Sequence, residues 1–174
     1  MNIFITNTDP IIAAQDLCDK HIRSKMIIEG SIMLSNSFTQ EQLNYAPKTK
    51  TGKTRKTGKG YAKHQCTLWA KESRENFMWL VEHTLEMFNE RNFRWPDSDQ
   101  HFTYDFIKWC KDNKDKTTHK NNNLTPFVTA ISADSECRKI TNFDNLSVVD
   151  QYRLYIKHDK SFATWTKRNK PNWY

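Results

Sequence analysis

The mainly helical fold predicted here is built around the stretch DPIIAAQDLCDKHIRSKMIIEGSIMLSNSF, residues 9–38. The stretch opens with an Asp-Pro pair, and aspartate caps the free amides of a helix while proline is tolerated in the first turn. Its apolar residues recur at helical spacing, which predicts one long helix over the whole stretch. At about 100° per residue, His21, Lys25 and Glu29 fall on the same stripe of that helix.

That stripe is unusual because it carries an imidazole, an ammonium and a carboxylate at successive turns. Burying such groups is costly unless they have partners or a functional role. In one interpretation Lys25 and Glu29 pair across one helical turn on a partly wet face, while His21 packs as an aromatic ring. In the other interpretation the three side chains form a functional cluster that faces inward. The stripe alone leaves both interpretations open.

The size and charge of the chain restrict its class. A chain of 174 residues suffices for one domain, residues 1–174, with a sizeable core. The formal net charge of +7 favours a polyanionic partner such as DNA, RNA or a nucleotide. No apolar run approaches the ~20 residues of a membrane span, and the amino-terminal segment does not resemble a signal peptide. We therefore expect a cytoplasmic protein with no membrane partner.

Motifs typical of a cofactor or metal site are absent from the sequence. The four cysteines are far apart and form no CxxC pair, so we expect reduced thiols rather than a zinc site or disulfides. HExxH, GxSxG and GxGxxG are missing as well. The sequence therefore predicts neither a bound cofactor nor a metal.

The most basic part of the chain is residues 48–63. This segment contains no acidic residue and few apolar ones, which predicts a mobile loop that does not pack. Glycine amides, threonine hydroxyls and ammonium groups together suit a sequence-independent phosphate clamp, although charge runs are often only solubilising. The cationic candidates in this basic loop are Lys48, Lys50, Lys53, Arg55, Lys56, Lys59 and Lys63.

Periodicity and helix-breaking residues predict the other elements. Ile3, Phe4 and Ile5 should anchor a short extended arm in the core. The expected fold is a compact, mainly α bundle of three to four helices with long basic and Asn-rich loops. In chain order the remaining elements are an arm over residues 1–7, helices over 64–91 and 101–114, a flexible loop over 114–123, a helix that starts at Ser147, and an aromatic and basic tail over 161–174.

Taken together, these features resemble the pyrimidine-dimer DNA glycosylase (endonuclease V) family and its small phage and bacterial relatives. The resemblance covers most of the chain. It is carried by the MNIF start, by Asp19-x-His21 followed by Lys25 and Glu29, by the Gly/Lys/Arg loop, by HQCTLWAKES and NERNFRW, and by the tail YRLYIKHDKSFATWTKRNKPNWY.

The resemblance implies a chemistry as well as a fold. In that family the α-amino group of the chain attacks the sugar C1′ of a damaged nucleotide in double-stranded DNA, and a glutamate of the first long helix assists. For this chain the resemblance implies Met1 as the amine and Glu29 as the carboxylate, with Lys25 and His21 beside it. Together with the basic loop, the implied nucleic-acid contacts are His64, Arg153, Trp165, Arg168 and Trp173.

Two other functions are compatible with the sequence. The first is a phage-encoded, non-enzymatic protein that binds a nucleic acid, a nucleotide or a host protein and so antagonises host machinery. The second is a nuclease or phosphodiesterase that uses His21, Glu29 and Glu72 around a metal, for which no ligand spacing here is diagnostic. The substrate base stays open in every case.

Overall fold

The computed structural model describes residues 2–174 and confirms the mainly helical fold. No β-strand is found in that range, and one isolated bridge joins Ser73 to Asn121. A π-helix lies at His21–Lys25. The α-helices are α1 (Pro10–Gln15), α2 (Met26–Ser35), α3 (Gln40–Asn44), α4 (Gln65–Glu72), α5 (Arg74–Arg94), α6 (Tyr104–Asp112) and α7 (Val148–Asp159), with short 3₁₀ turns at Lys114–Lys116, Glu136–Lys139 and Phe143–Asn145.

The prediction of one unbroken first helix is wrong, because the helix ends at Gln15 and restarts at Asp19. Distant partners replace the helical hydrogen bonds at this break. Arg94 donates to the carbonyls of Gln15 and Leu17 at 3.0 and 2.8 Å. The Asp19 N–H donates to the carbonyl of Thr164 at 2.8 Å. The break is therefore stabilised by α5 and by the tail.

After this break the chain forms a π turn that leads into α2. The Met26 N–H bonds to the carbonyl of His21, an i→i+5 bond that adds one residue to the turn. His21, Lys25 and Glu29 lie on one side of this helical segment, since all three line the same cavity. Single π turns of this kind are frequent at functional sites.

The second long helix, predicted over residues 64–91, is also divided in two. Ser73 is extended between α4 and α5, and its hydroxyl accepts the N–H of Asn76 as the N-cap of α5. The carbonyl of Asn121 accepts the Arg74 N–H at 3.1 Å. The Asn-rich loop therefore supplies the hydrogen bond that the interrupted helix lacks.

The later helices match the prediction more closely. The predicted start of the last helix is confirmed, because the Ser147 hydroxyl accepts the Asp150 N–H at 3.1 Å. α6 is shorter than the predicted 101–114 segment. The short helix α3 was not predicted, and a capping box formed by Thr39 and Gln42 begins it.

The amino-terminal arm is buried as predicted, and Ile3, Phe4 and Ile5 are each at most 5% exposed. The imidazole of His83 on α5 contacts this segment, with Nε2 3.1 Å from the Ile3 carbonyl and Nδ1 3.0 Å from the Pro10 carbonyl. The arm thereby joins the same hydrophobic core as α2, α5 and α7.

α5 is the longest helix and packs against α1, α2, α4 and α6. A close approach between α2 and α5 requires a glycine, since a Cβ at Gly30 would lie 2.7 Å from the hydroxyl oxygen of Thr84. Within residues 2–174, neither α5 nor any other helix combines the length and the apolar character needed to cross a membrane.

Candidate functional site

The predicted cluster of polar residues faces a cavity of about 300 Å³, called here the Glu29 cavity. Its walls come from the amino-terminal arm, the π turn, α2 and the end of α7. His21, Lys25 and Glu29 all line it, so the structure brings the three predicted side chains together. The other lining residues are Asn2, Phe4, Lys20, Met26, Ala130, Ser132, Tyr155, Lys160 and Phe162.

Glu29 is the one carboxylate among the described residues that line this cavity. Its Oε2 accepts the backbone N–H of Asn2 at 2.9 Å. The Asn2 side chain fixes the contact, because its amide donates to the Ala130 carbonyl and its Oδ1 accepts the N–H groups of Ile3 and Phe4. The arm is therefore tied directly to the carboxylate.

Three lysines line the cavity without pairing with that carboxylate. No ion pair in the described part of the chain includes Lys25 or Glu29, so the interpretation of these two as a helical ion pair is not supported. The Lys20 ammonium lies 4.0 Å from the centre of the Phe162 ring. With Lys160 as the third lysine, the cavity combines one carboxylate with three ammonium groups.

His21 contributes an aromatic surface to the cavity. Its ring stacks on Phe4 with centroids 4.2 Å apart and an interplanar angle of 25°. Burial, reinforced by the charge of Lys160 and of two other lysines, lowers the pKa of His21 to about 3. The imidazole is therefore neutral near pH 7 and packs as an aromatic ring.

Phe4 has a strained backbone within this wall. Its φ of 53° lies in the left-handed region that residues other than glycine rarely adopt. The Asn2 Oδ1 holds its N–H at 3.1 Å, and its ring stacks between His21 and Tyr155. Strained backbone positions of this type cluster at binding and catalytic sites.

Two other predicted participants are not among the described residues that line this cavity. The α-amine of Met1, the nucleophile implied by the resemblance, lies outside the described residues. Glu72, part of the metal-dependent alternative, lines a different cavity beside Trp69 and Lys120. Across residues 2–174, no group of three or more His, Cys, Asp and Glu side chains is arranged to hold a metal ion.

The basic loop runs alongside α2 towards the Glu29 cavity. The Gly58 N–H donates to Asn36 Oδ1 at 3.0 Å, and a Cβ at Gly60 would lie 3.5 Å from Ile32, about one turn from Glu29. These contacts place the loop backbone beside α2, while the described residues of the loop do not themselves line the cavity. The exposed cationic residues of the loop are Lys48, Lys50, Lys53, Lys56, Lys59 and Lys63.

The prediction that this loop does not pack is wrong at Arg55. Its side chain is buried, its guanidinium lies over the Phe106 ring at 3.9 Å, and its Nε donates to the Pro47 carbonyl at 3.0 Å. Gln40 donates to the Arg55 carbonyl at 2.9 Å. Arg55 therefore anchors the loop, and its buried side chain is not exposed to a phosphate. The cation–π contact with Phe106 compensates part of the cost of burying the charge.

The aromatic and basic tail is packed on the helical body. The indole N–H groups of Trp165 and Trp173 both donate to Asp16 at 2.9 Å, the first to its carbonyl and the second to its carboxylate. Arg168 pairs with the buried carboxylate of Glu90. These predicted nucleic-acid contacts therefore have partners within the chain, next to the break after α1.

Arg153 and His64 have intramolecular partners as well. Arg153 Nε donates to the Thr6 carbonyl at 2.9 Å. His64 is the N-cap of α4, because its Nδ1 accepts the Cys66 N–H at 3.2 Å. Burial lowers the pKa of His64, and the charge of nearby Glu29 opposes that shift. His64 therefore lies near the Glu29 cavity in a structural role.

Several wall residues of the cavity were not predicted as site residues. Asn2 and Tyr155 carry no sequence signal beyond belonging to the arm and to α7. Lys20 directly precedes His21, and Lys160 lies in the same aromatic and basic stretch as Phe162, which is the one pattern that points to them.

The chain matches no family model, no curated protein and no solved structure.

Proposed function

We propose that this protein is a DNA-binding glycosylase that acts on a damaged or modified nucleotide held in the Glu29 cavity. One observation carries this proposal: a single carboxylate lies in a cavity whose wall also contains three lysines and four aromatic rings. Aromatic rings stack on bases, lysines attract phosphates, and a carboxylate transfers protons. A cavity of about 300 Å³ suits one nucleotide turned out of the duplex, and not the duplex itself.

In this proposal the amino terminus supplies the nucleophile. Glu29 already accepts the N–H of Asn2, the residue that follows Met1 in the sequence. As the amine bonds to the sugar C1′, Glu29 takes a proton from it and passes that proton to the departing base. The base leaves with the electron pair of the glycosidic bond and takes up that proton. The sugar ring then opens: the nitrogen forms a double bond to C1′, the C1′–O4′ bond breaks, and the remaining N–H proton moves to O4′, which leaves a neutral imine. An α-amine with a reference pKa near ~8 is in part neutral at cellular pH.

The six exposed lysines of the basic loop provide the contacts to the DNA backbone in this proposal. They belong to the loop whose Gly60 lies beside Ile32 on α2, about one turn from Glu29. Contacts of this kind position a duplex without reading its sequence. Phe4 acts as a positioning residue, since its ring stacks between His21 and Tyr155 and holds these two rings in the wall against which a base would pack.

Glu29→Gln tests this proposal directly. The variant keeps the acceptor for Asn2 and loses the charge, so we expect DNA binding to persist while base release falls by roughly 10²–10⁴. The substrates are duplex oligonucleotides with abasic sites, pyrimidine dimers or modified bases, and borohydride reduction of the imine traps the covalent complex. Glu75→Gln, an exposed carboxylate on α5, is the matched control.

The outcomes separate the candidate functions. Base release that depends on Glu29 without a trapped complex would assign the nucleophile to water. Equal base release by Glu29→Gln and by the unmodified protein would remove the carboxylate from the mechanism. Duplex binding without base release from any of these substrates would contradict a glycosylase and leave a non-enzymatic binder.

A further inference from the structure

A cavity of about 520 Å³, called here the second cavity, is lined by Arg23, Ser24 and Ile28 from the π turn and α2. It is distinct from the Glu29 cavity and from the cavity that contains Glu72. Three cations, Arg23, Lys50 and Arg91, line it together with one carboxylate, that of Asp99, which leaves a formal excess of two positive charges. In the described part of the chain none of these cations takes part in an ion pair. Unpaired cations around a concave surface attract anions.

The two guanidinium groups are held by contacts that do not neutralise them. Arg91 donates through Nε to the carbonyl of Arg23 at 3.2 Å and through Nη1 to the carbonyl of Asp99 at 2.7 Å. Its Nη2 makes no hydrogen bond to the described residues. The Arg23 guanidinium lies 4.6 Å from the centre of the Trp95 ring. Both groups are therefore oriented in advance and keep donors for an acceptor such as phosphate.

An unsatisfied ring nitrogen lies in the wall of the same cavity. His101 is 8% exposed, and its Nε2 is buried without a hydrogen-bond partner. Its Nδ1 lies 2.8 Å from the Thr103 hydroxyl and accepts the Thr103 N–H. With Nδ1 as an acceptor, the neutral ring carries its proton on Nε2. A buried donor without a partner costs free energy. Because the His101 ring lines this cavity and stacks on Phe102, its resonances should report a ligand bound there.

An exposed aromatic ring completes this cavity. Phe102 is 41% exposed and stacks on His101 with centroids 4.5 Å apart. The Lys50 ammonium lies 5.9 Å from the centre of the Phe102 ring. An aromatic surface beside unpaired cations fits a nucleotide, because the base can stack while the phosphate pairs with the cations.

We infer that this second cavity binds the phosphate of a nucleotide unit, with Arg23, Lys50 and Arg91 supplying the charge. Phe102 then offers the base a stacking surface. Free mononucleotides and DNA strands present this same phosphate chemistry. The inference does not depend on Glu29, which lines the other cavity.

The test is a nuclear magnetic resonance titration of the ¹⁵N-labelled full chain with thymidine 5′-monophosphate and, separately, with a short DNA duplex. Binding in this cavity should shift the His101 Nε2 resonance. Lys50→Gln removes an exposed side chain that has no hydrogen bond or ion pair within the described residues, so the fold should persist. We expect it to weaken binding about tenfold.

Lys157→Gln is the matched control, since this exposed lysine on α7 carries the same charge and lines neither cavity. It should change binding by no more than about twofold, because only screened long-range attraction is removed. Arg91→Gln should reproduce the loss seen with Lys50→Gln. A loss seen with the mononucleotide assigns the site to free nucleotides. A loss confined to the duplex assigns it to a DNA strand only if Arg91→Gln shows it too, because Lys50 also belongs to the basic loop.

The inference is overturned if Lys50→Gln weakens neither probe more than Lys157→Gln does, or if neither probe moves the His101 resonance. Glu29→Gln separates this inference from the proposed enzymatic function. That variant should retain the His101 shift and the dependence on Lys50 even where base release is lost.

Discussion

Gly30 is the residue at which a single methyl group should change stability most clearly. A Cβ there would lie 2.7 Å from the Thr84 hydroxyl oxygen, closer than side chains approach in folded proteins. Overpacking costs ~1–3 kcal/mol, while alanine gains about 1 kcal/mol of helix propensity over glycine. We expect Gly30→Ala to lower the free energy of unfolding by up to ~2 kcal/mol, as measured by urea denaturation.

A double-mutant cycle isolates this contact. Thr84→Ala removes the hydroxyl that a new Cβ would meet, so Gly30→Ala should cost less in the Thr84→Ala background than in the unmodified chain. An equal cost in both backgrounds would show that the close approach to Thr84 is not what requires glycine.

Among the elements, the π turn should tolerate the loss of a residue. Deleting Ser24, which is exposed, should convert the i→i+5 turn into a regular helical turn while the segments on either side keep their orientation. Deleting Ile32 from the regular part of α2 should instead rotate one part of the helix against the other by ~100°. We expect the Ser24 deletion to melt within a few degrees of the unmodified chain, and the Ile32 deletion to melt far lower.

Thermal denaturation followed by circular dichroism measures both variants. If the Ser24 deletion melts as low as the Ile32 deletion, the π turn does not hold a surplus residue and its geometry is required for folding.

The basic loop divides into exposed lysines and one buried arginine, and the two should respond differently. Replacing Lys53, Lys56 and Lys59 with alanine should flatten the salt dependence of duplex binding by about 0.9 log units for each lysine that pairs with a phosphate. Arg55→Ala should instead lower the free energy of unfolding by ~1–3 kcal/mol, since it removes the interactions with Phe106 and Pro47.

Fluorescence anisotropy with a labelled duplex at several salt concentrations gives the slope, and urea denaturation gives the stability. If the salt dependence of duplex binding is unchanged in the triple lysine variant, these lysines do not contact phosphates and the loop only connects α3 to α4.

For the whole molecule, buried histidines should make the fold sensitive to acid. Burial and neighbouring lysines lower the pKa of His21 to about 3, and burial with Arg91 and Lys50 lowers the pKa of His101 to about 4. Both rings take up protons more readily when unfolded, where the pKa is near ~6.5. Stability is therefore complete above about pH 6.5 and falls as the pH drops towards about 4.

Each ring should account for ~2–3 kcal/mol between neutral pH and about pH 4.5, at about 1.4 kcal/mol per pKa unit. Urea denaturation across this range measures the slope. His21→Phe keeps a ring against Phe4 and removes the titrating group, so its stability should fall less on acidification. A slope identical to that of the unmodified chain would mean that His21 does not contribute.

The sequence correctly predicted the features that depend on residues close together along the chain. Helical periodicity placed most of the helical segments and the stripe of His21, Lys25 and Glu29, because side chains at helical spacing share a face whatever surrounds them. The apolar start of the chain predicted the buried arm. The hydroxyl of Ser147 marked the start of α7, since an N-cap bonds only within its own first turn.

The interruptions of the two long helices could not be predicted in this way. The first break depends on Arg94 and Thr164, and the second on Asn121, all distant in the sequence from the backbone groups that they satisfy. The burial of Arg55 likewise depends on Phe106, an aromatic ring on another helix. A local pattern does not report partners that folding brings together.

The Glu29 cavity combines both kinds of information. Its catalytic candidates lie on one helical stripe that the sequence displays, whereas Asn2 and Lys160 reach the same wall from opposite ends of the chain. The hydrogen bond from the Asn2 N–H to Glu29 exists only because the buried arm packs beside α2. Helical periodicity acts over a few residues, while the shape and charge of a cavity depend on how the whole core packs.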